Sequence, residues 1–188
     1  MPELVNLDDY KKYKKLIKTE NDEALTLIIN SVCAMVKTYC GHSFTSYYST
    51  NKVESFNVSE YQHALLLNEW PVKEVVQVEE RQSDGTYAIV DAVDYYVDTA
   101  IDTVFKHTGY WASGFGAVKV TYKAGYATVP EDVKIAILDL ISHYYKEEYK
   151  ERKTIGQASI DNAPSYRQVL SSKWPMHVSR VLDMYKNG

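Results

Sequence analysis

The chain has 188 residues, 45% of them hydrophobic, which is enough to bury one core and favours a single domain. Its formal net charge of −4, from 21 Lys and Arg against 25 Asp and Glu, argues against tight, sequence-independent binding to nucleic acid. That charge does not argue against a surface that DNA merely passes. No run of about 18 apolar residues predicts a membrane span, and the lysine-rich start lacks the apolar stretch of a signal peptide, so we expect folding in a cytoplasm.

Cysteine and tyrosine give two further expectations. Cys33 and Cys40 lie on one predicted helix, about 10 Å apart along its axis, which is too far for a disulfide between them, so both are expected to be reduced core thiols. The 17 tyrosines suit a protein interface, because each ring has an apolar body and a polar tip. A small α+β core uses tyrosine in the same way, and both interpretations stay open.

Two helices are predicted at the start of the chain, over about residues 7–18 and 22–40. Asn6 is a suitable N-cap for the first helix, and its lysines either contact phosphate or acidic protein or form a solvated face. Gly41 is typical of a helix C-terminus and ends the second helix. That helix has apolar residues at helical spacing, which predicts one face packed on another element: Leu25, Ile28, Ile29, Val32, Val36 and Tyr39.

Residues 44–123 are predicted to form a small antiparallel β-sheet layer, because short runs rich in Val, Tyr, Thr and Phe alternate with turn residues. Trp70-Pro71-Val72 marks a corner, and Ser83-Asp84-Gly85-Thr86 predicts a two-residue hairpin turn. Residues 109–116, GYWASGFG, are predicted to be a loop. Tyr110 and Trp111 in that loop are expected to be exposed and are candidate contact residues, or they form a local aromatic cluster that holds the loop.

The period of the apolar residues changes from two to about 3.6 between Val118 and Glu148, which predicts a strand followed by a helix over about 131–149. Gly125 gives the turn its backbone freedom, and Pro130 fits the first helical position. An apolar stripe on this helix is expected to pack against the 22–40 helix: Val133, Ile137, Leu140, Ile141 and Tyr144.

The rest of the chain is predicted to be a flexible arm over 150–172, polar and without sustained period, and a final helix over about 173–186. The predicted fold class is therefore α+β, with an antiparallel helical bundle core of these four helices, the 44–123 sheet layer inserted into it, and one domain over 1–188.

Signals for chemistry are thin. The sequence has neither GxGxxG nor GxxxxGK[ST], and its five histidines are dispersed, so we expect no cofactor, metal or catalytic residue. Cys40 and His42 could supply two metal ligands but no spacing supplies the other two. Asp139 and His143, four apart on a helix, could orient a nucleophile in a hydrolase, but no activated Ser or Cys accompanies them, so an ion pair on the helix surface is favoured.

The order of these pieces resembles the head–tail connector (adaptor) proteins of tailed bacteriophages. The resemblance is carried by four stretches: LDDYKKYKKLIKTENDEALTLIINSVCAMVKTYCG, LLLNEWPVKEVVQVEERQSDGTY followed by DYYVD, VTYKAGYATVPEDVKIAILDLISHYYKE, and KWPMHVSRVLDMYK. They look like that family's short and long helices, its Pro-Val corner, its Gly-Tyr and Val-Pro turn before a helix, and its proline-led closing helix.

The resemblance implies a structural virion protein without enzymatic activity, made in the host cytoplasm. It implies a ring of twelve copies below the portal protein, next to a tail-side connector or tail-completion protein, with DNA passing through the lumen without specific binding. The arm over 150–172 would become ordered only on assembly. By the same resemblance, the closing segment supplies the candidate portal or oligomer contacts: Trp174, Met176, Val181, Leu182 and Tyr185. Packing of that helix back onto its own core is the alternative.

One other function is compatible with the sequence. The protein could be a small β-rich binding module in which Tyr110 and Trp111 stack on a sugar or a peptide, with the helices as a scaffold.

Overall fold

The computed structural model describes residues 4–17, 21–146, 152–155, 158–161 and 174–186. Contacts divide the chain into two compact units: Met1–Gly41 with Val129–Gly188, called here the helical unit, and His42–Thr128, called the sheet unit. Within the described ranges the helices are α1 (Leu7–Lys14), α2 (Asp22–Cys40), α3 (Glu131–Tyr145) and α4 (Met176–Asp183). The strands are β1 (Lys52–Val58), β2 (Ala64–Leu66), β3 (Val72–Arg81), β4 (Tyr87–Ile89), β5 (Tyr95–Asp98), β6 (Thr103–Lys106), β7 (Gly114–Ala124), β8 (Arg152–Ile155) and β9 (Ala158–Asp161), with a 3₁₀ helix at Ala92–Asp94.

Local capping fixes the ends of the first two helices. The Asn6 side chain accepts a hydrogen bond from the Asp9 N–H at 2.8 Å, and the Asp9 carboxylate accepts one from the Asn6 N–H at 3.2 Å. The predicted end of α1 near residue 18 is wrong, because Lys15 is left-handed, with φ 55°, and ends the helix at Lys14. Gly41, with φ 77°, ends α2 as predicted.

The core of the helical unit lies between α3 and its two partners, α2 and α4. The stripe predicted on α3 is buried at four of its five positions, and Tyr144 is partly buried. On α2 the predicted packing face is confirmed at four of its six positions, and the other two, Ile28 and Tyr39, are partly buried. The fully buried residues of this core are Ile29, Val32, Val36, Cys40, Val133, Ile137, Leu140, Ile141, Val178 and Leu182.

The sheet unit contains two antiparallel sheets. A four-stranded sheet has the order β1-β7-β3-β4, and a three-stranded sheet has the order β2-β6-β5. On β7, Val118, Val120 and Tyr122 are buried and alternate with more exposed neighbours, as the sequence predicts. Residues of both sheets share one hydrophobic core: Val58, Leu65, Leu67, Val72, Val78, Val104, Trp111, Ala117, Val118, Val120, Tyr122 and Ala124.

Two turns shape this unit. The β3–β4 hairpin is confirmed, but its last strand pair is Arg81 with Tyr87, so the five residues 82–86 form the turn rather than two. Within this turn the Asp84 carboxylate accepts hydrogen bonds from the N–H and hydroxyl of Thr86 at 2.9 and 2.6 Å. After β7, Gly125 has φ +97°, and a side chain there would collide with the Phe44 carbonyl group. The turn between strand and helix therefore requires glycine.

The predicted fold class is wrong in its main point. The chain is α+β overall, but the two sheets bring seven strands and a hydrophobic core of their own, so the protein is β-rich and is not a helical bundle with an inserted sheet layer. The reason is burial: residues 42–128 contain enough inward-facing Val, Leu and aromatic side chains to form an independent core.

The segment predicted to be a flexible arm is only partly described. Its residues 152–155 and 158–161 form an antiparallel pair, β8 with β9, in which Arg152 pairs with Asp161. The remaining residues of the 150–172 range lie outside the described residues, as do residues 147–149 of the predicted third helix and residues 18, 173, 187 and 188.

Candidate assembly surfaces

Helix α4, predicted to be the portal-facing element, has one face packed inward. Val178 and Leu182 have no exposed surface, and the Cys40 thiol lies 3.7 Å from the Leu182 carbonyl oxygen. Burial is the main cause that raises the pKa of the Cys40 thiol to about 11, so this thiol is protonated at neutral pH. Leu182 therefore anchors α4 to the helical unit in this chain.

Three hydrogen bonds donated by aromatic side chains fix both ends of α4. The Tyr39 hydroxyl donates to the Asp183 carboxylate at 2.5 Å, and the Tyr185 hydroxyl donates to the Asp132 carboxylate at 3.0 Å. Trp174 donates its indole N–H to the Tyr144 hydroxyl at 3.1 Å. The bond to Asp183 is the first cause that raises the pKa of Tyr39 to about 12, followed by burial. Some of the 17 tyrosines therefore serve to hold elements of the helical unit together.

The outward side of α4 includes Met176, one of the predicted contact residues. Met176 is 44% exposed, Met184 is 67% exposed, and Arg180 between them is exposed. These three residues, at positions i, i+4 and i+8, are called here the α4 ridge. Sequence reasoning missed Arg180 and Met184, although their spacing was a usable signal. Val181 and Tyr185 are partly buried beside the ridge.

The loop aromatics divide into one exposed and one buried ring. Tyr110 is 54% exposed, but the expected exposure of Trp111 is wrong: only 2% of that residue is exposed. The Trp111 indole N–H donates to the His63 carbonyl oxygen at 3.0 Å, and the Lys106 ammonium lies 4.7 Å from its ring. Trp111 is therefore a core residue that holds the loop in place.

Exposed aromatic rings do occur elsewhere on the sheet unit. Tyr96 on β5 stacks against Phe105 on β6, with ring centroids 5.0 Å apart and planes 12° apart. Tyr61 and Tyr110 form an edge-to-face pair at 5.3 Å. The His107 ring lies 5.1 Å from the Tyr96 ring, so neighbours within the sheet unit cover part of Tyr96, and 46% of this residue stays exposed.

A buried polar cluster in the sheet unit contains two glutamates. The Tyr122 hydroxyl donates to the Glu54 carboxylate at 2.6 Å and accepts from the Glu69 N–H at 3.1 Å. Ser43 donates its N–H to the Glu69 carboxylate at 3.0 Å, and the Lys52 ammonium lies 3.7 Å from the same group. Burial, followed by the bond to Glu54, raises the pKa of Tyr122. Both carboxylates are thus occupied with neighbours of their own unit.

The other residues with possible chemistry are also engaged structurally. Asp139 accepts a hydrogen bond from the Tyr13 hydroxyl at 2.8 Å and pairs with His177 at 3.3 Å. The Nδ1 atom of the buried His42 accepts the Phe44 N–H at 3.2 Å. In the described part of the chain, no three His, Cys, Asp or Glu side chains form a group that could hold a metal ion. Nor does any described helix have the length and apolarity to cross a membrane.

Similar solved structures come from particle necks. The fold matches a chain in the neck of the empty gene transfer agent (GTA) particle, determined with C6 symmetry, at a TM-score of 0.63 and 15% identity, covering 98% of this chain and 90% of that one. The corresponding match in the neck of the native GTA particle, determined with C12 symmetry, has a TM-score of 0.60 and 15% identity over 97% and 88% of the two chains. The chain therefore shares its fold with these neck chains.

The chain belongs to the head completion protein family, whose model matches residues 3–188. It is also 28% identical over 72 residues to the head completion protein of Escherichia phage T5, a match that spans 38% of this chain and 39% of that relative. The predicted resemblance to head–tail connectors is confirmed, and so is the predicted class, a structural protein of the virion at the head–tail connection.

Proposed function

We propose that this protein is a non-catalytic connector subunit that forms a ring of twelve copies below the portal protein, between capsid and tail. DNA passes through the lumen of this ring without specific binding, and the tail-side neighbour is a further connector or a tail-completion protein. The observation that carries the proposal is the family match over residues 3–188, nearly the whole chain. The two units are proposed to function together as a single connector, as the prediction of one domain over 1–188 implies.

Symmetry and charge support the ring. The similar GTA chains belong to necks determined with C6 and C12 symmetry, and twelve copies satisfy both. The sheet unit contains eleven Asp and Glu residues against six Lys and Arg, a net charge of −5. A subunit with this charge repels the DNA phosphates rather than holding them, which suits a wall that DNA passes.

The absence of catalysis is supported by the engagement of the polar groups. The Glu54 carboxylate accepts a hydrogen bond from Tyr122, and the Glu69 carboxylate accepts one from Ser43 and pairs with Lys52. Both carboxylates are therefore already engaged within the chain. Asp139 is held by the hydrogen bond from Tyr13 and by its pairing with His177. We assign these groups to the stability of each unit.

The portal contact is assigned to the outward side of the closing segment. The α4 ridge (Met176, Arg180 and Met184) is exposed, and methionine adapts its shape to a partner surface. Trp174, Val181 and Tyr185 flank the ridge and are part of the proposed contact. Leu182 contributes indirectly, by holding α4 in place. Apart from its β8–β9 pair, the 150–172 arm is proposed to become ordered on assembly. Hydrogen exchange on the free protein would exclude this if the other amides of the arm were already protected.

Light scattering combined with negative-stain imaging tests the ring. The purified chain is measured over a concentration series, alone and with purified portal protein. Rings with a central hole, in either condition, are the expected result. A chain that stays monomeric both alone and with the portal contradicts the proposal.

Binding to immobilised portal protein tests the α4 ridge. We expect Met176→Ser combined with Met184→Ser to weaken binding at least about tenfold, because two apolar side chains buried at the centre of an interface together contribute about 1.4 kcal/mol or more, the free energy equivalent to that factor. Leu27→Ser is the matched control, since Leu27 on α2 is 69% exposed, like Met184 at 67%. Equal binding by the ridge variant and this control would exclude the ridge as the portal contact.

A further inference from the structure

The end of α1 exposes apolar side chains next to lysines. Ile17 is 93% exposed, and Tyr13 and Leu16 are each 40% exposed. Lys12 and Lys15 are exposed beside them. These five residues are called here the α1 end. An isoleucine with almost all of its surface in water is unfavourable for the isolated chain and favours burial in an assembly.

The sheet unit has a face of opposite charge, on the outer side of the β2-β6-β5 sheet. Phe105 on β6 is paired with Tyr96 on β5 and with Ala64 on β2. Leu66 lies two residues after Ala64 on β2, so Leu66, Tyr96 and Phe105 lie on the same side of the sheet. Leu66 is 66% exposed and Tyr96 is 46% exposed. Strand alternation places Asp98 on the same side as Tyr96, and Asp94 ends the 3₁₀ helix that directly precedes the strand. The five residues Leu66, Asp94, Tyr96, Asp98 and Phe105 are called here the aromatic face.

We propose that the α1 end of one copy docks on the aromatic face of the neighbouring copy. The inference rests on the proposed ring and assigns the surfaces that build it. The apolar group of Tyr13, Leu16 and Ile17 covers Leu66, Tyr96 and Phe105. Lys12 and Lys15 of one copy face Asp94 and Asp98 of the next.

Three physical arguments select a second copy as the occupant. A ring built head to tail requires two different, complementary surfaces on every subunit, and the two surfaces named here are different from each other. Both have an apolar centre that is incompletely covered within the chain. Their charged margins are opposite in sign, lysine on one and aspartate on the other, which favours this pairing and opposes contact between two identical surfaces.

Charge reversal tests the pairing in the full chain. We expect Lys12→Glu with Lys15→Glu to raise the concentration needed for half-maximal ring assembly at least about tenfold, because attraction at the margin becomes repulsion. Asp94→Lys with Asp98→Lys is expected to do the same. A chain with all four substitutions is expected to assemble within about threefold of the wild type, since the opposite charges are restored. Thermal melts confirm that each variant is folded.

Cross-linking between copies tests the contact independently of charge. Under ring-forming conditions with a mild oxidant added, a mixture of an Ile17→Cys chain and a Tyr96→Cys chain is expected to give a disulfide between the two kinds of chain, which a tag on one of them distinguishes by mass. Cys33 and Cys40 do not interfere, because both are buried. Leu27→Cys replaces Ile17→Cys in the control mixture, since Leu27 is also well exposed but lies on α2.

The outcomes separate the two proposals. Mixed cross-links well above the control, with rescue by the four substitutions, support the docking. Rings of the wild type without preferential cross-links, or without sensitivity to charge reversal, overturn the docking and leave the connector ring intact. A wild-type chain that forms no ring, alone or with the portal protein, overturns both.

Discussion

Replacing Leu182 by alanine is expected to release α4 from the helical unit. The side chain has no exposed surface, and the substitution removes three carbons, a loss of about 2.4 kcal/mol at roughly 0.8 kcal/mol per buried carbon. The cavity adds about 1 kcal/mol, so the total is about 3 kcal/mol. An eight-residue helix is not stable on its own, and with Val178 as its remaining fully buried side chain α4 should detach.

Urea titration followed by circular dichroism measures the loss, and hydrogen exchange at the α4 amides shows whether the helix detaches without global unfolding. Met176→Ala on the same helix is the matched control, because Met176 is 44% exposed and should cost less than about 1 kcal/mol. If Leu182→Ala lowers the free energy of unfolding by no more than this control does, and the α4 amides stay protected, the assigned anchoring role is refuted.

Three further predictions concern aromatic residues. Trp111→Ala should destabilise the sheet unit by about 3–5 kcal/mol and Tyr110→Ala by less than about 0.5 kcal/mol, so comparable losses in a urea titration would contradict the burial of one ring and the exposure of the other. Tyr122→Phe should cost about 1–3 kcal/mol in the same assay, since it removes one hydrogen-bond donor from the buried Glu54 carboxylate and the acceptor of the Glu69 N–H; an unchanged midpoint would exclude this role. The pKa of Tyr39 is raised to about 12 in the folded chain, against about 10 for an unperturbed tyrosine, so its contribution to stability is complete below about pH 10 and is lost as the pH rises from about 10 to 12. Tyr39→Phe should flatten that part of the stability–pH curve, and a curve identical to that of the wild type would count against the hydrogen bond.

Several features were predictable because they depend on neighbouring residues in the chain. Asn6 and Gly41 mark helix ends through hydrogen bonds and backbone angles that form within a few residues. The alternation along β7 and the stripe on α3 also follow from local geometry, which is why both matched the observed burial. Family membership was accessible for the same reason, since it was carried by the order of such local pieces.

The candidate surfaces were less predictable. On α4 one of the predicted contact residues, Leu182, is buried together with Val178, because packing within the helical unit decides which apolar side chains turn inward. Trp111 lies in a glycine-rich loop, which favoured exposure, but its indole N–H finds a carbonyl acceptor at His63, 48 positions earlier in the chain. The exposure of Ile17, next to a run of lysines, could not be known before α1 was seen to end at Lys14.

The sequence by itself determined that α2 ends at Gly41, which side of β7 is buried, and to which structural class of virion protein the chain belongs. Those properties arise from periods and caps that span a few residues. Only the tertiary structure decided that β1 pairs with β7, the last strand of the sheet unit along the chain, that two sheets share one hydrophobic core, and which aromatic rings remain exposed. Such choices depend on contacts between residues far apart in the chain, where burial of the whole set outweighs any local preference.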